Sequence, residues 1–291
     1  MKPPPFEYFC PATLDEAVSL LAQKENAKIL AGGQSLMAML NLRYVFPDAL
    51  VDINNLFDLA GIDVTAQRIR IGAMTRQRQM ECDEALFNCL PIFRAALKLV
   101  GHRQTRNRGT LGGSLCHLDP ASELPLLALL LDATVEVIGP AGQRRVPASE
   151  FIAGFMMPGI SADEIVTAVE FLPWRADHTF GFHEFARRHG DFAIASSAVQ
   201  LERDRSGVIE RAAIAIGGIG SVPQRHTEGE KLLIGTDGNA AAIASVIACC
   251  DRLELVGDFH GGVDYRLSVA RTMLRRSLAA ALTGTKTPVA T

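Results

Sequence analysis

The segment from residue 106 to residue 120, RNRGTLGGSLCHLDP, places a thiol, an imidazole and a carboxyl group just beyond a pair of glycines. Cys116, His117 and Asp119 are residue types that serve as nucleophiles, bases or metal ligands. Cys116 and His117 are a poor catalytic pair, because neighbouring side chains point apart on a strand and diverge on a helix. The pattern therefore favours a packed Cys116, with His117 and Asp119 shaping the loop or contacting a bound ligand.

Two glycine-containing loops offer a different chemistry. Ala31 to Ser35 read AGGQS, and Gly109 to Ser114 read GTLGGS. Adjacent backbone N–H groups with little side chain around them bind anions, because several amide dipoles converge on one point. Neither loop fits the G-x-G-x-x-G pattern or the phosphate loop G-x-x-x-x-G-K-[ST], which disfavours a doubly wound NAD site and an ordinary ATPase site. The loops are either plain turns or a pair that holds the two phosphates of a dinucleotide.

Composition and charge limit the classes of protein to which this chain can belong. The 291 residues allow two domains or three small ones, with a core that is aliphatic because aromatic residues make up only 6% of the chain. A formal net charge of −3 gives no excess of basic residues that would indicate binding to nucleic acid or to an anionic lipid surface. No basic region followed by an apolar run marks a secretory signal, and the apolar run from Leu124 is interrupted by Asp132 and Glu136. The sequence predicts a cytoplasmic protein.

The cysteines give no sign of a metal site. They are dispersed at positions 10, 82, 89, 116, 249 and 250. None forms C-x-x-C, whereas zinc and iron–sulfur sites use thiolates at close and regular spacings. Buried structural thiols are the favoured interpretation.

The elements that must position the glycine loops fall into three units. Residues 1–56 predict a small α/β unit, in which Thr13 and Glu16 cap the first helix and a short strand ends in the first glycine loop. Residues 57–176 predict a mixed α+β unit, with one amphipathic helix over 85–100 and a hairpin at the Pro-Ala-Gly turn of ATVEVIGPAGQRRVPA.

The third unit is predicted to be a sheet covered by helices. Residues 177–285 contain a pair of strands around an Asp-Arg-Ser-Gly turn, followed by helical patterns over about 239–253 and 265–282. Residues 286–291 are expected to fray.

A family resemblance extends over nearly the whole chain. It is carried, in order, by PATLDEAVSLLA, ILAGGQSLMAMLNLR, LVDIN, IGAMT, RNRGTLGGSLCHLDPASELP, GPAGQRRVPASEF and RRHGDFAIA. The chain resembles the medium, FAD-binding subunits of the molybdenum hydroxylases of the carbon monoxide dehydrogenase and xanthine dehydrogenase type. The resemblance implies an α+β fold: a two-subdomain FAD-binding fold of the vanillyl-alcohol oxidase and PCMH type, followed by a C-terminal α+β domain with an antiparallel sheet and a helical bundle.

The resemblance also implies where FAD binds, namely between the two N-terminal subdomains. Residues Lys28 to Leu36 would face the adenine-side phosphates with backbone amides, and Thr110 to Ser114 would wrap the pyrophosphate and the ribityl region. Glu123 would lie near ribityl or ribose hydroxyls, although the residues alone equally allow a carboxylate favoured by a helix N-terminus. Glu184 stands where many relatives have a lysine, which leaves Arg188 as the substitute basic contact. The implied cofactor-binding residues are Lys28, Ile29, Leu30, Ala31, Gly32, Gly33, Gln34, Ser35, Leu36, Gly101, Thr110, Leu111, Gly112, Gly113, Ser114, His117, Glu123, Ile160 and Arg188.

The function that the resemblance implies is electron transfer, with no catalytic side chain and no metal ligand in this chain. Electrons would leave substrate at a molybdenum cofactor in a large partner subunit, pass through [2Fe–2S] clusters in a small one, reach FAD here and go to an external acceptor. The implied assembly is a dimer of three-subunit units. Because substrate binds in another subunit, this chain does not select between carbon monoxide, a purine, nicotinate, another heterocycle or an aldehyde. The alternative is a non-catalytic assembly module that kept the fold without flavin.

Overall fold

The computed structural model of the chain describes residues 2–284, so the predicted frayed tail at 286–291 lies outside the described residues. These residues form sheets of three, five and four strands and a two-stranded ribbon, together with helices. The mixed α+β class predicted from the sequence is confirmed. Over residues 2–284, no helix combines the length and the apolar character that crossing a membrane requires.

The first unit is a small parallel sheet with two helices. Its elements are β1 (Glu7–Phe9), α1 (Leu14–Gln23), β2 (Ala27–Leu30), α2 (Leu36–Leu42) and β3 (Ala49–Asp52). The strands pair in parallel in the order β1-β3-β2, so their carboxyl ends lie on one edge. The first glycine loop follows β2 directly and therefore emerges at that edge.

The second unit is built on a five-stranded antiparallel sheet, in which the predicted hairpin turns at residues 140–141. Its elements in chain order are β4 (Ile62–Val64), β5 (Ile69–Gly72), α3 (Gln77–Glu81), α4 (Glu84–Cys89), α5 (Ile92–Leu97), α6 (Arg103–Arg108), α7 (Leu111–His117), α8 (Glu123–Leu130), β6 (Thr134–Gly139), β7 (Gly142–Pro147), α9 (Ala148–Phe151), β8 (Ile152–Gly154), β9 (Met157–Pro158) and β10 (Ile165–Phe171). The strand order is β4-β5-β10-β6-β7, and β8 and β9 form the separate ribbon.

The prediction of one amphipathic helix over 85–100 is wrong. The chain forms two helices there, α4 and α5, which are separated at Leu90 and Pro91. Proline has no N–H to donate to the preceding turn, and its ring disfavours the helical conformation of the residue before it. Leu90 accordingly has φ −136° and ψ 72°.

The third unit is a four-stranded antiparallel sheet in the order of the chain, with helices on one face. Its elements are β11 (Thr179–Phe185), β12 (Ala195–Arg203), β13 (Ile209–Gly217), β14 (Gln224–Arg225), α10 (Thr227–Leu233), α11 (Ala240–Ala248) and α12 (Val263–Thr283). The predicted Asp-Arg-Ser-Gly turn joins β12 to β13, and the Asp204 carboxylate accepts from the amides of Ser206 and Val208 within it. Helix α12 packs along β11 and β12.

The second and third units share one hydrophobic core with α8 at its centre. All eight residues of α8 are buried, as expected for a helix that is apolar on every side. On the third sheet, Val199 and Ile214 face the core under α12, whereas Phe182 and Ala198 belong to the same core as α8. Helix α8 contacts β12 and β13 on that face.

Arg225 joins the third unit to the end of α8. Its Nη1 donates to the carbonyl oxygens of Leu129 and Leu130 and lies near Asp132 Oδ1, each at 2.9 Å. The last carbonyls of a helix lack partners within the helix and carry partial negative charge, so a cation there is favourable.

We predict that Arg225→Met lowers the free energy of unfolding by about 2–3 kcal/mol, because it leaves buried carbonyls without a charged donor. The control is Arg252→Met, which removes an ion pair with Glu228 in which the arginine side chain is 69% exposed and which should change stability by less than about 0.5 kcal/mol. Urea unfolding of both variants tests the prediction, and equal effects would contradict it.

Candidate functional site

The first glycine loop, residues 31–35, connects β2 to α2 and exposes unpaired amides. Gly33 has φ +71°, a left-handed conformation that glycine adopts without the strain of a Cβ. The N–H groups of residues 32 to 35 meet no hydrogen-bond acceptor within residues 2–284. Consecutive unpaired amides on a bent backbone form a site for an anion.

The second glycine loop, residues 109–114, opens α7, and its first four residues are buried. The Leu111 amide donates to the Thr75 carbonyl at 3.1 Å, and the Gly112 amide donates to the Ala73 carbonyl at 2.8 Å. The Gly113 amide donates to the side chain of the N-cap residue, Thr110, at 3.1 Å. These three amides already have acceptors within the protein. A contact between this loop and a pyrophosphate therefore stays a prediction, and the side chains and Cα atoms of the loop would have to make it.

The two loops lie against each other. A Cβ on Gly32 would overlap the carbonyl oxygen of Arg108 and lie 2.9 Å from Gly109 Cα. A Cβ on Gly113 would lie 3.8 Å from the Cβ of Ala31. Glycine at position 32 is therefore what allows this close approach of two backbones, and the structure brings both glycine loops to one place.

Arg76 clamps the two loops together. Its Nη1 donates to the Arg108 carbonyl at 2.6 Å, and its Nη2 donates to Asn54 Oδ1 at 2.7 Å. The Asn54 side chain in turn donates to the Ala31 carbonyl at 2.8 Å. Burial, and then repulsion from Arg108, lower the Arg76 pKa, but an arginine remains protonated in a protein. Sequence reasoning missed the role of Arg76 and Asn54, because their hydrogen bonds join segments that are far apart in the chain.

Cys116 and His117, at the end of α7, do not form a catalytic pair, and Asp119 in the following turn has a structural role. Burial raises the pKa of Cys116 to about 12, and its side chain packs against the main core, which confirms the prediction of a packed thiol. Burial lowers the pKa of His117, so its imidazole is neutral. Asp119 accepts from the Ala121 amide at 2.9 Å and so shapes the turn before α8.

The remaining predicted residues differ in their burial. Lys28 is exposed on β2, and Gly101 has φ +47° in the turn before α6. Ile160 packs against the core of the second unit, and Glu123 is a buried first residue of α8. Arg188 is exposed in the segment between β11 and β12.

A histidine stack joins the Gly101 turn to the Arg188 segment. The rings of His102 and His189 lie nearly parallel, with centroids 6.3 Å apart and an interplanar angle of 8°. A Cβ on Gly190 would lie 2.5 Å from a carbon of the His102 ring, so this imidazole packs directly on the Gly190 backbone. The structure thus brings Gly101 and Arg188 to one side of the seam between the second and third units, although no sequence pattern had linked the two histidines.

Comparison with known families covers both parts of the chain. Residues 4–174 match the model of the FAD binding domain in molybdopterin dehydrogenase. Residues 180–281 match the model of the CO dehydrogenase flavoprotein C-terminal domain.

Individual proteins are similar over the full length. The 6-hydroxypseudooxynicotine dehydrogenase complex subunit alpha of Paenarthrobacter nicotinovorans is 40% identical, covering 97% of this chain and 96% of its own. The carbon monoxide dehydrogenase medium chain of Hydrogenophaga pseudoflava is 34% identical, and the match covers 97% of this chain and 98% of that protein. The crystal structure of quinoline 2-oxidoreductase from Pseudomonas putida 86 contains a chain that is 35% identical, with a TM-score of 0.93. The match covers 98% of this chain and 99% of the chain in that structure.

We predict that Gly32→Ala lowers the free energy of unfolding by about 1–3 kcal/mol, because the new methyl group forces the two loop backbones apart. Gly262→Ala is the control, since a Cβ there meets no atom within 4 Å and should change stability by less than about 0.5 kcal/mol. Denaturant unfolding of both variants tests the prediction. Wild-type stability of Gly32→Ala would show that the loops are not held in contact.

Proposed function

The chain belongs to the family of FAD-binding medium subunits of the molybdenum hydroxylases, and from this premise we propose that it is the electron-transfer subunit of such an enzyme. It accepts electrons from [2Fe–2S] clusters in a small partner subunit and passes them to an external acceptor. Substrate is oxidised at the molybdenum cofactor of a large partner subunit. The names of the relatives, a subunit alpha and a medium chain, support membership in a larger complex.

The residues present fit FAD, and the unpaired amides of the first loop are the observation that carries the proposal. Four consecutive N–H groups, at residues 32 to 35, stand beside the second glycine loop without an acceptor of their own. A diphosphate supplies the acceptors that such amides need. When bound, FAD supplies the electron-transfer chemistry, and the protein holds it in place and tunes it.

Each part of the site has a proposed role in holding the cofactor. Residues 28–36 bind the phosphates on the adenine side. Residues 110–114 border the pyrophosphate and the ribityl chain. The residues that complete the proposed site are Gly101, His117, Glu123, Ile160 and Arg188.

The proposed setting is a cytoplasmic complex. The small iron–sulfur subunit and the large molybdenum subunit would assemble with this chain into a dimer of three-subunit units. Because the electron source lies in the small subunit, the flavin of the isolated chain should stay oxidised when substrate of the complex is added.

The experiment that tests the function is a visible spectrum of the purified chain, followed by chromatographic identification of the released cofactor. About one FAD per chain, together with reduction of that flavin only when both partner subunits and substrate are present, would support the electron-transfer role. A colourless protein that takes up no FAD, alone or in the complex, would favour the assembly module that kept the fold without flavin.

We predict that Gly33→Ala weakens FAD binding at least about tenfold, because the strained residue relaxes and turns the loop amides away from the phosphates. Gly235→Ala is a matched control, since Gly235 has φ +83° and open space around it, far along the chain from the glycine loops. Both variants should lose about 1–2 kcal/mol of stability from the left-handed backbone. Fluorescence titration of the apoprotein with FAD measures the affinity, and equal affinities for the two variants would contradict the placement of the phosphates.

A further inference from the structure

Three consecutive carbonyl groups of the first glycine loop each accept a hydrogen bond from within the protein. The Ala31 carbonyl accepts from Asn54 Nδ2 at 2.8 Å, and the Gly32 carbonyl accepts from Gln34 Nε2 at 3.1 Å. The Gly33 carbonyl accepts from a backbone amide in the first turn of α2, also at 3.1 Å. By contrast, the N–H groups that follow these carbonyls meet no acceptor within the described part of the chain.

The direction of each of these N–H groups is set by the carbonyl group before it. A peptide unit is planar and trans, so the C=O of one residue and the N–H of the next point in opposite directions. A hydrogen bond that fixes the Ala31 carbonyl therefore also fixes the Gly32 N–H, on the side away from the donor. The bond to the Gly32 carbonyl fixes the Gly33 N–H in the same way. The protein's own hydrogen bonds thus set the orientation of these amides.

The side chain of Asn54 is itself held by two charged partners. Its Oδ1 accepts from Arg76 Nη2 at 2.7 Å, and its Nδ2 also donates to Asp52 Oδ1 at 2.5 Å. An arginine can only donate, and carboxylate and carbonyl oxygens can only accept. Asn54 can therefore present only its amino group to the Ala31 carbonyl, because a flipped side-chain amide would meet each charged partner with the wrong atom.

Asp52 is anchored as an acceptor at both of its oxygens. Its Oδ2 accepts from the Tyr8 hydroxyl at 2.6 Å, and its Oδ1 accepts from the Asn54 backbone amide at 2.9 Å. Burial opposes ionisation of Asp52, but the hydrogen bonds from Tyr8 and Asn54 hold its pKa below the usual value. The carboxylate is therefore charged at neutral pH and keeps the amino group of Asn54 turned toward it.

The register of the parallel sheet brings Asn54 to the loop. Strands β2 and β3 run in the same direction, and Leu30 is paired with Asp52 at their carboxyl ends. The Ile53 amide donates to the Leu30 carbonyl at 3.1 Å, which continues the pairing by one residue. Asn54 comes next in the chain, so its side chain reaches the first carbonyl of the loop.

N–H groups bind a phosphate best when their direction is fixed beforehand, because turning peptide units during binding costs free energy. We propose that Asn54 is a positioning residue of the FAD site, which directs the Gly32 N–H toward a phosphate of the ligand by holding the Ala31 carbonyl. The identity of the ligand rests on the proposed function, whereas the orientation of the peptide unit does not.

The partners of Asn54 act through it. Arg76 and Asp52 keep its donor turned to the loop and contact the loop carbonyl only by way of this side chain. Gln34 holds the next peptide unit through a longer bond from an exposed residue. Asn54, which is less exposed and is fixed by charges, should therefore contribute more to the orientation of the loop amides.

Two substitutions at Asn54 separate loss of the donor from a change of charge. Asn54→Leu has a similar shape and removes the donor without adding charge. Asn54→Asp keeps an acceptor for Arg76 but also lacks the donor to the Ala31 carbonyl. Asn55→Leu and Asn55→Asp are the matched controls, because Asn55 is the exposed neighbouring residue and its side chain contacts Cys10 Sγ at 3.3 Å.

The first measurement is the affinity of the FAD-free chain for FAD and for inorganic pyrophosphate, at about pH 8, where aspartates are ionised. Both Asn54 variants should bind each compound at least about tenfold more weakly than wild type, because the Ala31 carbonyl loses its donor and the peptide unit is free to turn. Both Asn55 variants should bind as wild type does.

The second measurement is the backbone amide resonance of Gly32 in protein saturated with pyrophosphate or FAD. In wild type the amide proton should move downfield, because the N–H gains a phosphate acceptor. In both Asn54 variants this shift should be absent at saturation. A role of Asn54 in stability alone would lower the free energy of unfolding but would leave the resonance of the saturated protein as in wild type.

The outcomes for the positioning role and for the proposed function are distinct. Wild-type affinity or a wild-type Gly32 shift in Asn54→Leu would overturn the positioning role, and so would a loss confined to Asn54→Asp, since charge repulsion would then explain it. A wild-type chain that binds pyrophosphate at Gly32 but no FAD would count against the proposed function alone, because the Asn54 variants can still be compared with pyrophosphate. A chain that binds neither compound would overturn both.

Discussion

The contact of two backbones at Gly32 and Arg108 is the constraint on which the candidate site depends. No side chain fits between them, so the edge of the parallel sheet and the turn from α6 to α7 are fixed at van der Waals distance. Arg76 then supplies the donor that the Arg108 carbonyl needs and holds the first loop through Asn54. Because the second loop uses its own amides to stay packed, the unpaired amides are concentrated in the first loop.

The position of the third unit follows from the character of α8. A helix that is apolar on every side is stable only when it is covered on every side. The second unit covers part of it, and the third sheet covers the rest with small residues such as Ala198, Ala213 and Ala215. The C-terminal domain is therefore a wall of the same core that carries α7 and its glycine loop.

Local sequence pattern was sufficient for the first helix, the β6–β7 hairpin and the turn between β12 and β13, because periodicity and turn residues act over a few neighbours. It failed at Pro91, where an amphipathic pattern continued through a residue that cannot continue a helix. It also failed for hydrogen bonding in the second loop, because the acceptors of its amides, Thr75 and Ala73, come from a strand end more than thirty residues earlier. The Arg76 clamp joins segments that are far apart in the chain, and no short motif encodes such a contact.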